Sequence, residues 1–212
     1  MRNFVVAASL VCVNMASEAN LITNPSNELP LVSGEIPGWT EVVGSNWTQR
    51  SANPSAYDGS FYFFSGVGAF AILGQNVDVS SFASGIDAGK ERFDFSGRVR
   101  TFPQTPSDTA RIMVRFLDSS FVLLGGFDSG QIVDTDTWKL VSYSTIAPIH
   151  TRIAQIELIS LRNAGSNNDG YFDDLSLTTQ LVVPEPASVP LIFIGLLGAA
   201  SARRRCASNT TK

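Results

Sequence analysis

From Arg92 to Thr101 apolar and polar residues take turns along the chain. Phe93, Phe95, Gly97 and Val99 fall on one side, and Arg92, Asp94, Ser96, Arg98 and Arg100 on the other. A repeat of two is the mark of a half-buried antiparallel strand. Arg111–Leu117 repeats it with Ile112, Val114 and Phe116, and Ala154, Ile156 and Leu158 alternate with Gln155 and Glu157. Shorter runs predict strands over 60–64, 69–73, 121–124, 138–144 and 171–178. Between them lie turn-forming clusters: Asn53-Pro54-Ser55, Tyr57-Asp58-Gly59, Pro103-Gln104-Thr105-Pro106, Asp128-Ser129-Gly130 and Asn167-Asn168-Asp169-Gly170. No long helical period interrupts this series, and Ser80–Ala88 reads as a short helical or irregular connection. Many short strands at even spacing predict an all-β, antiparallel sandwich of two sheets.

The two ends break the pattern. Arg2 precedes a ten-residue apolar run, Phe4–Val13, and Ser17-Glu18-Ala19 supplies small residues where a signal peptidase cuts. Residues 1–19 are therefore expected to be a signal peptide, leaving Asn20 as the mature N-terminus. At the other end Val183-Pro184-Glu185-Pro186 is followed by 16 apolar residues, Ala187–Ala202, and then by Arg203-Arg204-Arg205. At ~1.5 Å per residue that stretch makes a helix about 24 Å long, short of a hydrocarbon core of ~30 Å. The arginines hold its end in the cytoplasm and leave the preceding chain facing outward. Pro184-Glu185-Pro186, a marginal helix and an arginine cluster, in that order, resemble the PEP-CTERM sorting signal of Gram-negative bacteria. The resemblance implies recognition by an exosortase in the inner membrane, with cleavage near Pro-Glu-Pro. The organisation expected is thus a signal peptide (1–19), a β-sandwich (20–182), a sorting signal (183–205, its transmembrane helix 187–202) and a cytoplasmic tail (206–212).

Charge narrows the partners. The body 20–182 holds 10 basic and 17 acidic residues, a net −7, with no basic stripe, which argues against nucleic acid. Cys12 and Cys206 both lie outside the body, so no disulfide staples it. Catalytic signatures are weak. His150 is the only histidine, no Gly-x-Ser-x-Gly elbow occurs, and Gly66-Val67-Gly68 lacks the strand–helix unit of a dinucleotide site.

Asn20-Leu21-Ile22-Thr23-Asn24-Pro25-Ser26-Asn27-Glu28 with Ile36-Pro37-Gly38-Trp39 resembles the opening of galactose-binding-like jelly rolls, which include carbohydrate-binding modules. Gly170-Tyr171-Phe172-Asp173-Asp174-Leu175-Ser176-Leu177 is similar to their last strand. Asn27 stands where those modules carry an aromatic. The resemblance implies a jelly roll with its first and last strands adjacent, so that Glu28 and Asp173 meet. Many relatives hold a structural calcium ion there, with oxygens near Asp58-Gly59 as further ligands. Asp173 shares the alternation of Leu175 and Leu177, which points it inward, where a carboxylate needs a cation or hydrogen bonds. Accepted backbone N–H bonds without a metal are the alternative.

Exposed aromatics are the usual platform for sugar rings. Trp47, flanked by Ser45, Asn46 and Thr48, reads as a loop residue, and Trp39, Tyr57 and Tyr143 are further candidates. The expectation is an exported, non-catalytic surface or matrix protein, transiently anchored in the inner membrane, whose processing partners are signal peptidase and exosortase. The association of PEP-CTERM proteins with exopolysaccharide and biofilm adds polysaccharide as its ligand. A structural or adhesive protein without a small ligand, or a secreted glycoside-active enzyme, are the alternatives.

Overall fold

The computed structural model describes residues 19–44 and 46–182. The expected signal-peptide run, the Pro-Glu-Pro element, the span 187–202 and the arginine cluster lie outside them. The chain divides into two units between Leu181 and Val182. Among the described residues no helix is long and apolar enough to cross a membrane.

Among the described residues ten antiparallel strands form two five-stranded sheets. The first runs in the order β1 (Thr40–Val43), β4 (Phe70–Asp78), β9 (Ile153–Leu161), β6 (Thr109–Leu117), β7 (Leu123–Asp128). The second runs β2 (Thr48–Arg50), β3 (Tyr62–Phe64), β10 (Gly170–Leu181), β5 (Glu91–Thr101), β8 (Lys139–Ile146). This is the expected jelly-roll sandwich. A 3-10 turn (Ser80–Phe82) and the short helix α1 (Ala83–Asp87) form the connection expected over Ser80–Ala88.

The core is the sum of the inward sets. Ile112, Val114 and Phe116 of β6 and Ala154, Ile156 and Leu158 of β9 face Phe93, Phe95 and Val99 of β5 and Phe172, Leu175 and Leu177 of β10. Gly97 sits in this layer without a side chain because Leu175 and Ile112 already fill its space; an added Cβ would meet Leu175 Cδ2 at 2.7 Å. The N-terminal segment is sewn to β10. Leu21 N–H donates to the Leu177 carbonyl, and the Asn20 side chain bonds both Leu175 and Leu177.

Three expectations are corrected. The strand expected over 121–124 starts later, at Leu123, because Asp118 Oδ1 accepts the N–H groups of Ser120 and Val122 and curls that stretch into a turn. Phe121 takes φ 64° there and is exposed. The strand expected over 69–73 runs on to Asp78, and β1 and β2 are edge strands too short to show a period. Asp173 does not share a face with Leu175 and Leu177. Asp174 adopts φ 48° and the β10–β5 register slips between Asp173 and Ser176. One extra residue in a bulge reverses the alternation. Phe172 therefore joins Leu175 and Leu177 in the core, and Asp173 falls on the opposite face with Tyr171.

Candidate functional site

The acidic residues Glu28 and Asp173 each bond the loop 57–61, at different amides. Asp173 Oδ2 accepts the backbone N–H of Tyr57 (2.7 Å) and Asp58 (3.1 Å), and its Oδ1 accepts that of Asp174 (2.8 Å). Glu28 Oε1 accepts the N–H groups of Ser60 (2.8 Å) and Phe61 (2.7 Å). Gly59 is needed at the centre, since it takes φ 65° and a Cβ there would strike the Glu28 carboxylate. Asp58 accepts the Ser26 hydroxyl at 3.1 Å. Asn27 is buried; its amide donates to the carbonyls of Thr48 and Tyr62, while its own Oδ1 has no partner among the described residues. Burial pushes the Asp173 carboxyl up to about 7 against the pull of the three amides, and the nearby Asp58 charge adds to the rise. Calcium requires six to eight oxygens. Here Glu28 and Asp173 are satisfied by amides, and among the described residues no group of three or more His, Cys, Asp or Glu is placed to hold a metal. The arrangement makes the two carboxylates a latch on the loop.

The aromatic candidates separate by burial. Trp47 is 2% exposed and tilted against Phe172, so it belongs to the core and not to a loop surface. Polar flanks hid this, because Asn46 belongs to the connection that leads into β2. Trp39 is 7% exposed, edge-on to Phe63, with its indole N–H donated to Thr23 and Asn24 carbonyls. Neither can stack on a sugar ring. Tyr143 is half-buried and stacked on Phe127 with centroids 4.8 Å apart. Tyr57 is 47% exposed. One face of its ring carries the Arg98 guanidinium at 4.2 Å, and its hydroxyl accepts from Arg98 at 2.8 Å.

A polar surface that the sequence did not mark as a site lies across the outer face of the first sheet. Asn76, Gln155 and Arg115 stand side by side on β4, β9 and β6. They point outward because their neighbours Val77, Ala154, Val114 and Phe116 point into the core. Gln155 donates to Asn76 Oδ1 at 3.0 Å. Arg115 donates to Gln155 Oε1 at 3.3 Å and to Glu157 Oε1 at 2.9 Å. Further along, Arg111 forks onto Asp128, and that bond holds the Asp128 carboxyl below the usual carboxylate range. Beside this row is a cleft of about 250 Å³ bordered by Met113, Arg115, Leu123, Gly126 and Asp128. Gly126 borders it and cannot be replaced cheaply, because a Cβ would run into the Val114 carbonyl. Planar amide, carboxylate and guanidinium groups beside a shallow apolar cleft can hydrogen-bond hydroxyls while Met113 and Leu123 take C–H faces. The signal available beforehand was the long polar residues, Arg111, Arg115, Gln155 and Glu157, at outward positions of two central strands.

The body is similar in fold to several solved β-sandwich proteins, a carbohydrate-binding module among them. Family 16 carbohydrate-binding module 2 superposes with a TM-score of 0.52 at 21% identity, over 75% of this chain and 99% of that one. The enzymatically active domain of bacteriophage CBA120 tailspike protein 4 gives 0.56 at 17% identity, over 76% of this chain. This chain spans about a fifth of the tailspike's length, 21%. A cyclase from Fischerella sp. TAU gives 0.52 at 14% identity, over 77% of this chain and 97% of that one. At such identities the likeness is one of fold alone. No curated protein matches the chain. Residues 182–205 match the PEP-CTERM protein-sorting motif, so the chain carries that motif directly behind its sandwich.

Proposed function

We propose that this is an exported, exosortase-sorted surface or extracellular-matrix protein whose body binds polysaccharide without catalysis, along the outer face of the first sheet. The observation that carries the reading is the sorting motif at 182–205, placed immediately after β10 of a carbohydrate-binding-type sandwich. Signal peptidase and exosortase are its processing partners, and membrane anchoring is a transient stage before release. The surface chemistry is consistent with binding alone. Asp128, the acid bordering the cleft, is ion-paired to Arg111, which holds its carboxyl below the usual carboxylate range and makes it a poor proton donor for glycoside cleavage.

The test has two readouts in the native host. Mass spectrometry of the shed product should end upstream of the apolar stretch; a product still carrying Phe193 and Arg204 refutes the sorting reading. Affinity electrophoresis through the host's exopolysaccharide should retard the protein, and Asn76→Ala with Gln155→Ala should restore its mobility. Unretarded migration would leave an adhesive or structural role.

A further inference from the structure

We propose that a second pocket, at the end of the sandwich under α1, takes a single terminal sugar unit through a pair of hydroxyls held by Glu91. The pocket measures about 570 Å³, within the range of small-molecule sites. It is bordered by Phe82, Ser84, Gly85, Lys90, Glu91 and Thr179 and shares no residue with the cleft on the first sheet. Glu91 occupies the first inward position of β5, in line with Phe93, Phe95 and Val99, where a hydrophobic residue would otherwise stand. It is 5% exposed. Among the described residues no Lys, Arg or His forms an ion pair with it.

Its side-chain bonding is far from complete. Oε1 accepts the Thr179 hydroxyl at 2.6 Å, whereas a carboxylate offers about four acceptor positions. Oε2 lies against Gly85, where any Cβ would collide with it, so the helix is bare at the point where it passes the carboxylate. A buried charge short of donors is costly, and a ligand that brings donors recovers that cost. Adjacent sugar hydroxyls bring two. The Ser84 hydroxyl and the Lys90 ammonium at the rim can donate to the remaining sugar oxygens, and the Phe82 ring offers a wall for a C–H face. The ammonium at the mouth and the lack of a three-acid cluster among the described residues argue against a metal ion as the occupant.

The ligand class rests on the polysaccharide reading, but the site does not, so the two can fail separately. The test is saturation-transfer NMR and calorimetry on the full chain with galactose, glucose, mannose and glucuronate as probes. At least one should bind with a millimolar Kd. Glu91→Gln should weaken it about tenfold without lowering the melting temperature. Ser84→Phe, at the exposed mouth, should abolish it without touching the core, and Arg115→Ala should leave it unaltered. Absence of binding by all four sugars, or binding that survives both Glu91→Gln and Ser84→Phe, overturns the proposal. Retardation by exopolysaccharide without monosaccharide binding would refute the pocket alone and leave the sheet-face reading standing.

Discussion

Replacing Asp173 by Asn should remove a pH dependence of stability that the wild-type protein carries. Asp173 is fully buried, and burial holds its carboxyl at about 7 in the fold against an ordinary 3.8. Between those values the native state keeps a proton that the unfolded chain has released. Stability therefore falls as pH rises through that interval. The contribution is complete below about pH 4 and gone above about pH 7. The whole interval is worth on the order of 4 kcal/mol, of which roughly 2–3 kcal/mol lies between pH 5 and pH 8. Asn is neutral throughout. Its Oδ1 can still accept from Tyr57 and Asp58, but its amide would face the Asp174 N–H, a donor opposite a donor, at a cost of about 1 kcal/mol. Urea titrations of purified protein in chelator at pH 5, 6, 7 and 8 measure both. Wild type should exceed Asp173→Asn at pH 5, and the order should reverse by pH 8. Asp174 and Glu41, also raised by burial, slope the same way in both proteins and cancel in the difference. A wild-type minus variant difference that does not change with pH would refute the reasoning. Millimolar calcium added at pH 8 tests the remaining alternative: a rise in melting temperature, lost in Asp173→Asn, would mean that a cation completes the latch. Equal melting temperatures in chelator and calcium would rule it out.

Trp47→Ala should cost about 3–5 kcal/mol by thermal or urea melting, as for a large core aromatic, rather than selectively removing glycan binding; a well-folded variant that no longer binds would reverse its assignment to the core. Arg115→Ala strands the buried Glu157 carboxylate and should destabilise by about 1–3 kcal/mol while weakening retardation by exopolysaccharide, with Arg115→Lys recovering part of the stability. Gly126→Ala should shift β7 away from Val114 and lower the melting temperature by several degrees, an effect scanning calorimetry can detect and one that should be absent from Gly130→Ala, where an added Cβ meets nothing within 4 Å but the φ of 67° costs a little. Alanines in place of Pro184, Glu185 and Pro186 should keep the protein in the membrane fraction on immunoblots; unchanged release would separate the motif from sorting.

The sandwich was legible because long strands declare themselves. Glu91–Thr101 and Thr109–Leu117 each carry enough alternating residues for the period to show, and their inward sets are the ones found in the core. Three-residue strands such as Thr48–Arg50 carry no period at all, and their pairing with β3 is set by tertiary contacts. The convergence of Glu28 and Asp173 on one loop was legible through family resemblance, since it depends on the first and last segments being neighbours. The direction of Asp173 was not, because a single left-handed residue at Asp174 inverts everything before it and an aspartate gives little warning of that. Trp47 was misread for a related reason: side-chain burial depends on which sheet covers a residue, and its neighbours in sequence are silent on that. The polar row on the first sheet was half visible, with Gln155 and Glu157 recognised as outward, but their partners Asn76 and Arg115 come from strands distant in the chain.

β10 lies third of five in its sheet, bonded to β3 near its start and to β5 through Leu181, with Leu21 donating to Leu177. Val182 follows at once. Tension applied to the tail therefore enters along the axis of an interior strand, and the cross-strand bonds ahead of it are loaded together, in shear. An edge strand pulled from its tip would peel away rung by rung at far lower force. Single-molecule extension from residue 182 would record this as one abrupt rupture.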